Sequence, residues 1–375
     1  MDRTWNEDRA VEALVLRSAQ GVGDRAFRLL VDAFGSPGAV LAAKPAELAE
    51  RCAATPRLIE SLARARRHRA WAEAQVAWAR RIGVGVWVYG APGYPIRLRQ
   101  IPNPPSVLFA AGPLDPDERP AVAVVGSRRA SEHGRRFARR LGRELAEAGV
   151  VVVSGMARGI DSAAHWGALE AGGTTVAVFG WGLDHVPRGW ARDLAARIRQ
   201  QGVCISEFPL GVEARPAHFP RRNRVISALS LGVVVVEAAP GSGSLITASL
   251  ALEQGREVFA VPGVPGMPNT RGTHELIRQG ARLVEGVDDI LAELGPAVRP
   301  AREGGAPGGG QEPPPRLRPL WQALGPEPEH VDAILARAGW SASEGAAGLM
   351  ELALAGLAEE WPGRRYCRAG GRKGT

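Results

Sequence analysis

AVAVVGSRRAS, residues 121–131, decides the fold. Its opening run of Ala and Val has no polar alternation, which suits a strand covered on both faces. A Gly-Ser-Arg turn follows, and from Glu132 the pattern becomes helical. The same kind of run recurs as VVVVSG (150–155), TTVAVFG (174–180), VCISE (203–207), GVVVVEA (232–238) and VFAVPG (258–263). Helix-like segments separate these runs. Strand–helix alternation of this kind predicts an α/β fold with a parallel, doubly wound, Rossmann-like sheet.

Working outward, GVGVWVYG (83–90) and VLFAAG (107–112) add short strands ahead of the first parallel one. The intervening GYPIRLRQIPNPPSVL is too proline-rich for regular structure. The extended Rossmann-like domain is therefore expected over 81–295. Residues 1–80 are expected to form a helical domain of SAM or helix-hairpin-helix type, with Gly21-Val22-Gly23 as the hairpin. A hairpin of that kind offers amides to phosphates, but the same spacing serves plain helix packing, the preferred reading here. GPAVRPAREGGAPGGGQEPPPR (295–316) lacks an apolar period, so 296–317 is expected to be a flexible linker. Residues 318–375 carry two helical patterns and a Gly-Arg-Arg-Tyr end that resembles the wing of a winged helix.

Composition narrows the function. The chain has 375 residues, no apolar run long enough for a transmembrane helix, and a charged N-terminal stretch unlike a secretory signal. A cytoplasmic protein without membrane association is expected. Cys52, Cys204 and Cys367 are scattered, with no metal-ligand or disulfide spacing. A net charge of +8 points to a polyanionic partner. Nearly all basic residues are arginine, a bias that base composition alone can produce. Lys44 and Lys373 are the lysines, so no Gly-Lys-Ser/Thr triplet exists and P-loop ATP hydrolysis is excluded.

In an open α/β sheet, ligands gather beyond the carboxyl ends of the strands, where helix N-termini offer free amides. After the first parallel strand, Gly126, Ser127, Arg128 and Arg129 form an anion-binding turn or, more plainly, a turn with solvated arginines. After the second, Gly155 and Gly159 permit a tight turn, Asp161 or Ser162 is placed to cap the helix, and Arg158 projects from the same edge. His165, four residues beyond Asp161, reads better as a packed histidine than a catalyst. Asp184 and His185 follow the third strand; neighbours in sequence point to different sides, so Asp184 reads as a turn residue or a ribose-side hydrogen-bonder. HFPRRNRVISALS (218–230) places Arg221, Arg222, Asn223 and Arg224 at a helix start, with Phe219 as a stacking face. After the fifth strand, PGSGS offers Ser242, Ser244 and, beyond it, Thr247. No paired carboxylates, metal cluster or clear nucleophile emerges, and no cofactor is implied. Residues 121–230 hold 16 Arg against 9 acidic residues, and several anion sites in a row fit successive phosphates of a strand better than one nucleotide.

GSRRAS, SGMARGIDSAAH, ISEFPLG, HFPRRNRVIS and GSGSLITASLALEQGREVFAVPG, in this order, resemble the bacterial DNA-processing family DprA, also called Smf. The resemblance spans about 90–290. It implies an extended Rossmann fold, single-stranded DNA in a basic pocket, a homodimer through that domain, and contact with the RecA recombinase during natural transformation, without enzymatic activity in that role. The pocket it implies comprises Gly126, Ser127, Arg128, Phe219, Arg221, Arg222 and Asn223. His133, Trp181 and Ala228 depart from the family's pattern, where an aromatic ring, another turn residue and a glycine are expected.

Two other functions fit parts of the sequence. PGSGS with Thr247 and Glu253 resembles the loop of lysine-decarboxylase-like nucleotide or N-glycoside hydrolases, although its second glycine and threonine are displaced. A structural adaptor whose arginines meet acidic proteins is the third. Residues 319–363 carry Arg337 alone against seven acidic residues, so this module is expected to contact protein rather than duplex DNA.

Overall fold

The computed structural model describes residues 5–185, 188–298, 313–325, 329–354, 357–361 and 365–368. Most of the expected linker, and Arg364, lie outside them. The chain divides into two compact units, 1–301 and 302–375. No helix among the described residues is long and apolar enough to cross a membrane.

In the first unit, helices α1 (Glu7–Ser18), α2 (Asp24–Phe34), α3 (Pro37–Ala42), α4 (Pro45–Cys52), α5 (Pro56–Ala65) and α6 (Arg69–Arg81) come first. Then follow β1 (Gly85–Val88), α7 (Ile96–Arg99), β2 (Val107–Ala111) and β3 (Ala121–Val125). The winding continues through α8 (Glu132–Glu147), β4 (Val151–Gly155), α9 (Ile160–Glu170), β5 (Thr175–Phe179), α10 (Trp190–Gln201), β6 (Val203–Ser206) and α11 (His218–Ala228). It closes with β7 (Gly232–Val235), α12 (Gly243–Glu253), β8 (Glu257–Ala260), α13 (Arg271–Arg278), β9 (Arg282–Leu283) and α14 (Val287–Leu294).

The strands form one sheet of order β1-β2-β6-β5-β4-β3-β7-β8-β9. From β6 to β9 all neighbours are parallel, while β1 and β2 join antiparallel at the β6 side. The chain winds from β3 out to β6, and α11 then returns it to β7 on the other side of β3. Strand order therefore reverses between β3 and β7, where α/β sheets open a crevice.

The apolar runs lack alternation because both faces are covered. Ala121, Ala123 and Val125 face a core shared with α10, α11 and the N-terminal helices; Val122 and Val124 face Phe137, Leu141 and Ala164 of α8 and α9. The helices before residue 81 are continuous with the sheet rather than walled off from it. Leu16, Phe27, Phe109 and Val178 belong to one buried cluster, because β1 and β2 give those helices an apolar surface to cover.

Helices α8 and α9 pack backbone against backbone. A Cβ on Gly167 would sit 1.9 Å from the carbonyl of Arg139, and one on Gly142 2.3 Å from that of Ala164.

The second unit consists of α15 (Arg318–Ala323), β10 (Glu329–His330), α16 (Val331–Ala338), α17 (Ala342–Leu354), β11 (Ala358–Trp361) and β12 (Arg365–Arg368). Its antiparallel sheet, ordered β10-β12-β11, and its helices make a winged helix around Leu320, Ile334, Leu349 and Leu352. Arg337 is spent on Glu329, and α17 presents Glu344 and Glu351 with no basic residue.

The close crossing of α8 and α9 makes Gly167→Ala a test of the packing. Chemical denaturation should show a loss of about 1–3 kcal/mol, the usual cost of overpacking. An unchanged midpoint would contradict the close approach.

Candidate nucleic-acid interface

A crevice of about 920 Å³ opens at the carboxyl edge of the sheet, at the switch between β3 and β7. The loop after β3 supplies Gly126, Ser127, Arg128 and Arg129, and α9 supplies Asp161. The first turns of α11 supply Phe219, Arg222 and Asn223, and the entry to α12 supplies Ser242, Ser244 and Thr247.

The loop after β3 is braced from β7. Ser127 donates its amide to the Glu237 carbonyl at 2.8 Å, and the Ser127 hydroxyl accepts from the Arg129 amide at 3.1 Å. The Glu237 carboxylate accepts from the amide and hydroxyl of Ser131, which caps α8 through the Gly134 amide at 3.0 Å. Asn269 Nδ2 holds the Arg129 carbonyl at 3.1 Å. Arg128 and Arg129 thus stand exposed on a fixed turn. The Arg128 guanidinium lies 4.7 Å from the Phe219 ring centre, a cation–π contact of about 0.5–1 kcal/mol at an exposed site. Phe219 in turn meets Trp181 edge to face at 6.4 Å, and Trp181 meets Phe179 at 5.0 Å. The unexpected Trp181 is therefore the wall that holds Phe219.

The floor is a buried charge. Arg222 is 5% exposed, and its guanidinium lies where a Cβ of Gly155 would be. It donates to the Val178 carbonyl at 2.8 Å, while its Nε finds no acceptor in the protein. Asp161 stands 3.9 Å away, too far for a hydrogen bond. Burial therefore outweighs the attraction and pushes the Asp161 carboxyl up to about 6; burial likewise brings Arg222 down to about 10. Asp161 does not cap α9 as expected. Gly159 is the cap, and the Ser162 hydroxyl donates to the Gly159 carbonyl at 3.1 Å.

His165 is a packed residue, as expected. It is buried between Thr175 Oγ1 at 2.7 Å and the Gly155 carbonyl at 3.0 Å, and desolvation lowers its pKa to about 4. Asp184 accepts from the Gly211 amide at 2.8 Å and shapes a turn. Its neighbour His185 does not diverge from it; Nδ1 lies 2.9 Å from Asp184 Oδ2, because the tight turn folds the two side chains together.

The arginines of RRNR separate. Arg222 and Asn223 face the crevice, with Asn223 Nδ2 on the Gly243 carbonyl at 3.2 Å. Arg221 and Arg224 do not line it. Arg224 is buried on Glu207 and Asp24 at 2.5 and 3.0 Å, and Arg221 reaches the same two carboxylates at 3.3 and 3.4 Å. Arg158 is exposed and also outside the crevice lining. The hairpin at 21–23 is used for packing: Val22 is buried, and Asp24 just after it pairs with Arg17 and Arg224.

Ser242 and Ser244 share a hydrogen bond of 2.7 Å at the start of α12, and Thr247 donates to the Gly243 carbonyl. Glu253 sits at the far end of α12, outside the crevice lining. Asp161 is the carboxylate among the described lining residues. Sequence reasoning missed Glu237 and Asn269. Glu237 had a visible signal, an acid ending an apolar strand at the ligand-bearing edge; Asn269 had none.

The family described as DNA recombination-mediator protein A matches residues 85–295, and the DprA winged helix domain matches 305–364. Protein Smf of Escherichia coli is 44% identical over 284 residues, covering 73% of this chain and 76% of the relative. The X-ray structure of DNA processing protein A from Streptococcus pneumoniae superposes with a TM-score of 0.65 at 34% identity, covering 76% of this chain and 97% of that one. A structure of DNA processing protein A from Helicobacter pylori, described for its single-stranded DNA binding mode, gives a TM-score of 0.51 at 28% identity over 56% of this chain and 95% of that one.

Asp161 and His165 have opposite effects on stability between pH 4 and 6. The raised Asp161 keeps a proton that the unfolded chain has lost, so its contribution falls as pH rises towards 6. The lowered His165 stays neutral where the unfolded chain is protonated, so its contribution rises over the same window. Asp161→Asn should therefore make urea stability climb more steeply from pH 4 to 6 than in the wild type. Parallel curves would contradict the burial of Asp161.

Proposed function

The chain belongs to the DNA recombination-mediator protein A family, DprA or Smf, and we propose that it binds single-stranded DNA along this crevice. It shields the strand and helps load a RecA recombinase onto it during DNA uptake, without catalysing a reaction of its own. One observation carries the reading: two exposed guanidiniums, a buried third and an aromatic face share one open crevice at helix starts. Arg128, Arg129 and the N-terminal end of α12 grip phosphates. Phe219 offers a face to a base, and the unpaired Nε–H of Arg222 adds positive field from below.

Gly126, Ser127, Arg128, Arg129, Phe219, Arg222, Asn223, Ser242 and Ser244 make the contact surface. Arg221 and Arg224 position α11 through Glu207 and Asp24, and exposed Arg158 meets the strand beyond the crevice. The helical segment 1–80 supports the domain 81–295, and the segment 296–317 tethers the winged helix of 318–375. That winged helix contacts protein, since α17 would repel phosphates. A homodimer through the Rossmann-like domain completes the proposal; the sheet edge at β9, with exposed Leu283, suits it. The protein works in the cytoplasm.

The hydrolase alternative gains no support from Glu253, which ends α12 outside the crevice lining that Thr247 joins. Fluorescence anisotropy across a salt series tests the proposal. The wild type should prefer an unpaired oligonucleotide to its duplex. Arg128→Ala should weaken binding and flatten the log–log salt slope by about 0.7, one single-strand phosphate contact. Phe219→Ala should cost about 1–3 kcal/mol, one stacked base. Equal binding of duplex by all three proteins would sink the proposal.

A further inference from the structure

The crevice sets one acid against three bases. Among its described lining residues the charged groups are Arg128, Arg129, Arg222 and Asp161, and no histidine joins them. Asp161 and Arg222 stand 3.9 Å apart with side chains 7% and 6% exposed. The positive charge of Arg128, on the loop after β3, also acts on Asp161. On α9 itself, His165 is turned to Thr175 and the Gly155 carbonyl and stays neutral. Ser154 of β4 gives its hydroxyl proton to the Val124 carbonyl, and neither it nor the Ala157 amide brings a charge. On the β7 side, the Glu237 carboxylate is taken by Ser131 and Asn269, and it lines the hollow of His133 instead. Asp161 is therefore the lining group that can change charge near neutral pH.

That change matters to an anion in the crevice. With Asp161 ionised, the guanidinium of Arg222 already has a counterion. A phosphate that enters brings a second negative charge to the same floor, where little water screens the two. Like charges at close quarters disfavour the ionised carboxyl. Asp161 relieves the repulsion by taking a proton from solvent, and the phosphate then meets three arginines without an opposing carboxylate. Burial has already brought this carboxyl up to about 6, so the proton is within easy reach.

We propose that single-strand binding in the crevice is coupled to uptake of a proton by Asp161, a counterion that the strand's phosphate displaces. The proposal rests on the crevice as a single-strand site. Linkage is reciprocal: a strand that draws a proton onto Asp161 is itself held more tightly as pH falls. The gain begins where the strand-bound form takes up its proton and levels off below about 6, where free Asp161 is protonated too.

The test is binding of oligo-dT to the full chain from about pH 8 to about pH 5.5, with proton uptake read by calorimetry in buffers of different ionisation heat. The wild type should gain roughly tenfold in affinity over that range, the scale of one pKa unit of coupling. It should take up about half a proton near pH 6.5 on binding. Asp161→Asn should abolish the uptake, flatten the profile and bind roughly tenfold tighter than the wild type at about pH 8. His133→Gln, in the hollow that shares Pro268 and Asn269 with the crevice, should keep the uptake. Binding by the wild type without uptake overturns the coupling while the crevice stands. So does uptake that survives Asp161→Asn or disappears in His133→Gln. Failure of the wild type to bind at any pH overturns the crevice, and the coupling with it.

Discussion

The carboxyl edge of the sheet is arranged around one buried guanidinium. Arg222 of α11 lies against Gly155 at the end of β4, holds the carbonyl of Val178 in β5, and faces Asp161 in α9. Gly155 has to lack a side chain because the guanidinium occupies that space. Removing such a charge from water is costly unless its donors are met. Here the hydrogen bond to Val178 and the nearby Asp161 offset part of that cost. Burial lowers Arg222 only to about 10, so it remains a cation at neutral pH. At neutral pH Asp161 largely balances Arg222, and the exposed Arg128 and Arg129 give the crevice its positive excess.

A second set of ion pairs fixes the same helix from its other side. Arg224 and Arg221 meet Glu207 after β6 and Asp24 from the helical segment. Asp24 also accepts from the amide and hydroxyl of Ser106. Burial raises the Asp24 carboxyl, but the Ser106 bonds and Arg224 outweigh it, so it stays below the usual range. The N-terminal helices thus act on the crevice at one remove, by clamping the helix that forms its wall. The winged helix has a different character: Arg316 and Arg337 are engaged with its own acids, Glu351 and Glu329, and α17 carries no basic residue.

Much of this was legible in the sequence. Uninterrupted apolar runs gave away a two-sided parallel sheet, and the carboxyl ends of its strands marked where anion-binding turns would gather; the switch point between β3 and β7 came only with the strand order. The joint motifs pointed to the family. The assignment of individual arginines was not legible, because successive residues of a helix project about 100° apart. Arg221, Arg222 and Arg224 look like one cluster in sequence, yet Arg222 alone of them lines the crevice, and the other two are spent on Glu207 and Asp24. One partner, Asp24, lies near the start of the chain and the other, Glu207, just after β6, and no local pattern announces the pairing. The departures acquired reasons in the fold. Trp181 braces Phe219, Ala228 is wholly buried, and His133 lines a separate apolar hollow with Phe137 and Met267.

Hydrogen–deuterium exchange with and without a single-stranded oligonucleotide tests the central claim most directly. Protection should appear in the loops after β3, β4 and β7, at residues 126–129, 157–160 and 242–246, and at the start of α11. Protection confined to the winged helix, with those loops unchanged, would contradict the account.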